Sequence, residues 1–135
     1  VTRLLLCLAL LAPVQDTPAA PDPAANEATV LELLKQLVQA EAAWGRDHGG
    51  KRASFLDLIL ARQLPADLRD GIASGYRFKL TLGENLRTFE ATATPLEYGR
   101  TGTRSFFADR KGVRGEDARG GATGGKAPLL APAEK

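Results

Sequence analysis

Cysteine and histidine each occur once in this 135-residue sequence, and methionine not at all. Cys7 sits inside an apolar run, so the rest of the chain has neither a disulfide nor a thiolate metal cluster and depends on ordinary packing. His48 lies in a polar "RDHGG" stretch. Alone, it cannot supply the nucleophile, base and orienting group of covalent catalysis, and beside a helix end it reads as a partner for the terminal carbonyls. A net charge of +2 provides no strong field for nucleic acid, which is not an expected partner. The segment "DRKGVRGED" lacks the alternating acids of a calcium loop. "GRTGTR" links strands instead of opening a helix, and "GGATGGK" has no serine or threonine after its lysine, so neither is a phosphate cradle. No metal, cofactor or catalytic residue is therefore expected, and no enzyme activity.

Long hydrophobic runs are also missing. The stretch "VTRLLLCLALLAP" has one positive charge, Arg3, and nine apolar residues from Leu4 to Ala12, whereas spanning a bilayer takes about 20. Its length is that of a secretory h-region, so residues 1–12 read as a signal peptide and the mature protein as exported, periplasmic or extracellular. Contact with a membrane is expected only through this segment before cleavage. The opening Val1 fits either a GTG start read as valine or a truncated upstream end.

Residues 13–26 turn to proline and alanine, with prolines at 13, 18, 21 and 23, and read as a linker that cannot hold a helix. At the other end, residues 116–135 carry glycines and prolines without hydrophobic periodicity and read as a disordered tail, with Leu129 and Leu130 its one docking point.

Between these ends, residues 27–115 form the expected globular domain. Val30, Leu34, Leu37 and Trp44 recur at helical spacing and predict an amphipathic helix over 27–46, with Glu32, Lys35, Gln39 and Arg46 opposite. Glu41 breaks the stripe. With no second acid or base on its face, it reads as a boundary carboxylate bonded to loop amides or an arginine, not as a catalytic acid. Gly49 and Gly50 stop the helix. Ser54 and Asp57 then make a capping box for a helix over 55–62 that would bury Leu56, Ile59 and Leu60. Pro65 opens one more turn through Leu68, and Gly71 ends it.

After Gly75 the period becomes two. "YRFKLTL", then "LRTFEATATP" with a bulge between Leu86 and Phe89, then "TRSFFAD" predict antiparallel strands; "DRKG" is a tight turn and "VRG" a short return strand. The predicted fold is α+β: the N-terminal amphipathic helix packed on a 3–4 stranded antiparallel sheet, with flexible termini.

An amphipathic helix with "AEAAW", then "SFLDLI", "SGYRFKL", "FEATATP" and "YGRTGTRSFFADRKGVRG" resembles the globular headgroup of type IV pilin-like proteins, particularly type II secretion pseudopilins, from about Glu27 to Gly115. The resemblance implies a helix laid on a small antiparallel sheet, and a structural place for Glu41 and Trp44 near the helix end. The prepilin cleavage site and long apolar helix of that family are not found between Val1 and Asn26. What carries over is therefore a soluble interaction module of the bacterial envelope with protein partners. The basic and aromatic residues beside the turns, Tyr98, Arg100, Arg104, Phe106, Arg110 and Arg114, are the expected contact surface. The alternative is a small-ligand or cell-wall binding module with a groove near Glu41 and Trp44.

Overall fold

A computed structural model describes residues 22–133, so the proposed signal peptide and most of the linker lie outside the described residues. Helix α1 runs over Pro23–Asp47, about 37 Å at 1.5 Å per residue. It starts earlier than the linker reading allowed. Asp22 is the N-cap, its side chain accepting from the Ala25 amide, and Pro23 occupies a first-turn position where a missing N–H costs nothing. Gly49 and Gly50, at φ 66° and 85°, take the chain out of the helix.

Helix α2, Phe55–Leu60, has the predicted capping box, with Ser54 and Asp57 each bonding the other's backbone amide. Its buried residue is Leu58, whereas Leu56 and Leu60 face solvent, Leu60 at 74% exposure. The short helix docks through Leu58 beside Ala53, Leu64 and Leu68, so the Leu56–Leu60 side, one turn apart, points away. A 3₁₀ turn over Ala66–Asp70 ends at Gly71 in the left-handed conformation.

The sheet corrects the expectation of three or four strands. Among the described residues, six antiparallel strands follow in chain order: β1 Ile72–Ala73, β2 Tyr76–Leu82, β3 Phe89–Pro95, β4 Arg104–Asp109, β5 Gly112–Asp117 and β6 Leu129–Pro132. β1 is too short to show a period, and β6 lies within the segment expected to be disordered. Residues before Phe89 form a 3₁₀ turn over Glu84–Leu86 instead of a bulged strand; the register shift falls between Val113 and Arg114.

Cross-strand register sets the core. Phe78 pairs Ala93, Ala93 pairs Phe106, Phe106 pairs Gly115, and in the neighbouring row Leu80 pairs Ala91, Ala91 pairs Ala108, Ala108 pairs Val113 and Val113 pairs Ala131. This inner face is small in its middle, and Val30, Leu34 and Leu37 of α1 share the buried core with it. Each such aliphatic residue contributes about 1.5–3 kcal/mol on burial.

The outer face is half covered. Residues 118–128 fold back over β4 and β5: the Ser105 hydroxyl donates to Gly121 O (2.6 Å), Arg114 donates to Ala127 O (3.0 Å), and the Gly115 amide to Pro128 O (3.1 Å). Ser105 and Phe107 are thereby buried on the side away from α1. Glycine hid this strap in the sequence because its contacts run through backbone carbonyls.

At Gly112, φ is 133° and an added Cβ would strike the Ala131 carbonyl and Pro132 backbone of β6, while Gly124 in the strap has open space around it. Gly112→Ala is expected to destabilise the protein by about 2 kcal/mol or more, and Gly124→Ala to stay within about 0.5 kcal/mol of wild type, in urea unfolding.

Candidate functional site

Two carboxylates, fourteen residues apart on α1, reach out of the helix to backbone amides at its two ends. Near the N-terminus, Glu27 Oε1 accepts from the Arg104 amide (2.7 Å), the Thr103 amide (3.3 Å) and the Thr103 hydroxyl (3.1 Å), and lies 3.6 Å from Arg104 Nε. The start of β4 is thus fixed to α1. Beside it, the buried Tyr76 hydroxyl donates to Arg104 O at 2.5 Å and fills the space over Gly102, where no side chain would fit. Burial, and then the charge of Glu27, hold the Tyr76 phenol well above its ordinary pKa.

Near the C-terminus, Glu41 is 0% exposed. Its Oε1 accepts from the Ala53 amide (2.7 Å), while its Oε2 is buried without a hydrogen-bond partner. Arg52 is adjacent but bonds backbone: NH1 donates to Glu41 O (3.1 Å) and Nε to Arg87 O (3.4 Å), with the guanidinium 5.4 Å from the centroid of the Phe89 ring. Burial raises the Glu41 pKa to about 7 from 4.5, against the opposing pull of the Ala53 hydrogen bond and the Arg52 charge. The reading of Glu41 as a carboxylate bonded to a loop amide describes this geometry. His48 likewise meets a terminal carbonyl, its Nδ1 2.8 Å from Trp44 O and its ring stacked on the Trp44 indole at 3.9 Å.

The six residues expected to form one contact surface are scattered. Phe106 is fully buried on the inner face and is corrected from contact residue to core. Arg104 lies over the Phe106 ring and beside Glu27, and Arg114 holds the strap. Tyr98 and Arg100 sit in the β3–β4 loop, whereas Arg110 is in the β4–β5 turn, at the other end of a six-residue strand and so about 20 Å away. Alternation in "RSFFAD" left open which phenylalanine faces the helix; register answers it, and the strap covers the other.

What remains together at one end is the loop with Leu96, Tyr98 and Arg100, next to the end of β5. The Tyr98 hydroxyl donates to both Asp117 carboxylate oxygens at 2.8 Å, and Arg100 pairs with Glu97 at 3.0 Å. The Arg119 amide, then the Tyr98 hydroxyl, hold the Asp117 carboxyl below its usual range, and the same hydroxyl–carboxylate bond raises the Tyr98 phenol. Leu96 and Tyr98 are both exposed.

At the edge of the helix–sheet seam, Val38 of α1 leaves only about 10 Å³ against Val113 and Ala131, and the roomier clefts lie outside it. One, about 190 Å³, is lined by Ala43, Trp44, Asp47, His48, Ala61 and Gln63; another, about 170 Å³, by Arg52, Thr88, Phe89, Glu90, Asp109 and Arg110. Among the described residues, no three histidine, cysteine, aspartate or glutamate side chains converge as metal ligands.

Because the folded-state pKa of Glu41 is raised, the neutral form is the one the fold favours. Its contribution is complete below about pH 4.5 and is lost as pH climbs through about 7. Unfolding free energy is expected to fall by on the order of 3 kcal/mol between pH 5 and 8.5. In Glu41→Gln most of that decline should vanish, whereas Glu27→Gln should keep it; urea titrations at several pH values measure both. Comparison with protein-family models, curated proteins and solved structures finds no match, so the reading of this site rests on its own geometry.

Proposed function

We propose that this chain is an exported, non-enzymatic interaction module of the pilin-like kind, working through protein contacts at a bacterial envelope and associated with secretion or pilus-type machinery. One observation carries the reading: the seam between α1 and the sheet is filled, with Val30, Leu34, Leu37, Tyr76 and Phe106 all buried, and the helix carboxylates that reach out of it hold backbone amides. Such a seam leaves the loops to meet partners. The contact surface is accordingly narrowed to the β3–β4 loop, where Leu96, Tyr98 and Arg100 are exposed on a strand scaffold tied to Asp117.

A wall- or small-ligand-binding module remains the second reading. It is favoured by the cleft beside the Trp44–His48 stack, where Asp47 and Gln63 adjoin an aromatic surface.

The test is fractionation of the producing cell followed by chemical cross-linking. Export predicts recovery outside the cytoplasm with the apolar leader removed, as read by mass spectrometry. The contact proposal predicts that a double substitution, Tyr98→Ala with Arg100→Ala, abolishes the cross-linked protein species while leaving the melting temperature within a few degrees. A full-length chain retained in the cytoplasm would rule out export. Cross-links undiminished by the double substitution would rule out the loop, and co-sedimentation with purified cell wall would favour the second reading.

A further inference from the structure

The joint between α1 and α2 holds a buried acid and a cation that do not pair. Glu41 presents Oε1 to the Ala53 amide and leaves Oε2 enclosed and unpartnered, while Arg52, one residue before Ala53, turns its guanidinium onto the carbonyls of Glu41 and Arg87. A carboxyl so placed is stable when neutral, with its proton on Oε2, because an enclosed hydroxyl costs far less than an enclosed charge. Once ionised it requires a counter-charge, and the cation bonded to the carbonyl of the same residue is Arg52.

We propose that Glu41 and Arg52 form a proton-controlled latch with two arrangements. With the carboxyl neutral, Arg52 clamps Glu41 O and Arg87 O and lies against Phe89. When the proton leaves to solvent, Arg52 transfers its guanidinium to the carboxylate and releases Arg87 and Phe89. The consequence is local: the 170 Å³ cleft that Arg52 lines with Thr88, Phe89, Glu90, Asp109 and Arg110 changes shape and charge with pH.

The charged groups around the carboxyl are Arg52 from the loop and Asp57 from α2, with Arg87 behind, bonding the carbonyl of Gly49. Asp57 is of like sign and opposes ionisation; Arg52 assists it. The latch therefore operates near neutrality and not in the ordinary carboxylate range.

Nuclear magnetic resonance of the full chain between pH 4 and 9 tests this directly. The Glu41 side-chain carboxyl carbon should titrate near neutrality, and the Arg52 Nε signal, with its protons shifted by the Phe89 ring, should move with the same midpoint. In Glu41→Gln the Arg52 signals should be flat over that range, and in Arg52→Gln the Glu41 midpoint should rise. A Glu41 midpoint at the ordinary value near 4.5, or Arg52 signals that stay fixed while Glu41 titrates, would overturn the proposal. Both readings come from the unmodified chain, so the test stands even where a variant fails to fold.

Discussion

Close approach of α1 to the sheet is the constraint on which the rest depends. The inner face is floored in its middle by Ala91, Ala93, Ala108 and Gly115, with Phe78, Leu80, Phe89 and Val113 around them. Small residues at the centre of a sheet lower the floor, so the valine and leucines of the helix can approach it closely. Tyr76 and Phe106, tilted against one another at 5.8 Å, add bulk to the same core.

Position along that floor is set by polar contacts at the helix ends. Glu27 grips two successive amides at the start of β4, and Glu41 grips the amide that begins the α2 capping region. An apolar seam is tolerant of sliding; carboxylates bonded to defined backbone groups are not, because each slip would leave a buried acceptor or donor unmatched. The two differ in environment. Glu27 stands beside Arg104, while Glu41 is enclosed with its nearest cation turned elsewhere, and that burial raises the Glu41 pKa.

Much of this was legible from residues. The stripe Val30, Leu34, Leu37, the Ser54–Asp57 capping box, the "YRFKLTL" and "FEATATP" alternation and the Asp109–Gly112 turn each encode local structure in local chemistry, and each is found where its pattern places it. The errors share a cause: information carried by distant partners. Leu56 and Leu60 fit an apolar helix face, but which side of so short a helix docks is decided by the surfaces it meets. Phe106 and Phe107 are adjacent and chemically alike; α1 buries the first, and the second is covered by a strap that begins about eleven residues downstream. That strap has no side-chain pattern because backbone carbonyls do its bonding. Glu27 was the readable omission, since its spacing from Glu41 places both acids near one helix stripe.

The sheet order has a kinetic corollary. Neighbouring strands are successive in the chain, so hairpins can form early, yet α1 packs chiefly on β4 and β5, some sixty to ninety residues downstream. The last layer of edge and cover arrives only with residues 118–132. A chain of this connectivity must close long loops before α1 finds support, and closure entropy makes that step late and slow. During synthesis α1 thus travels without its floor until the strands through β5 have emerged.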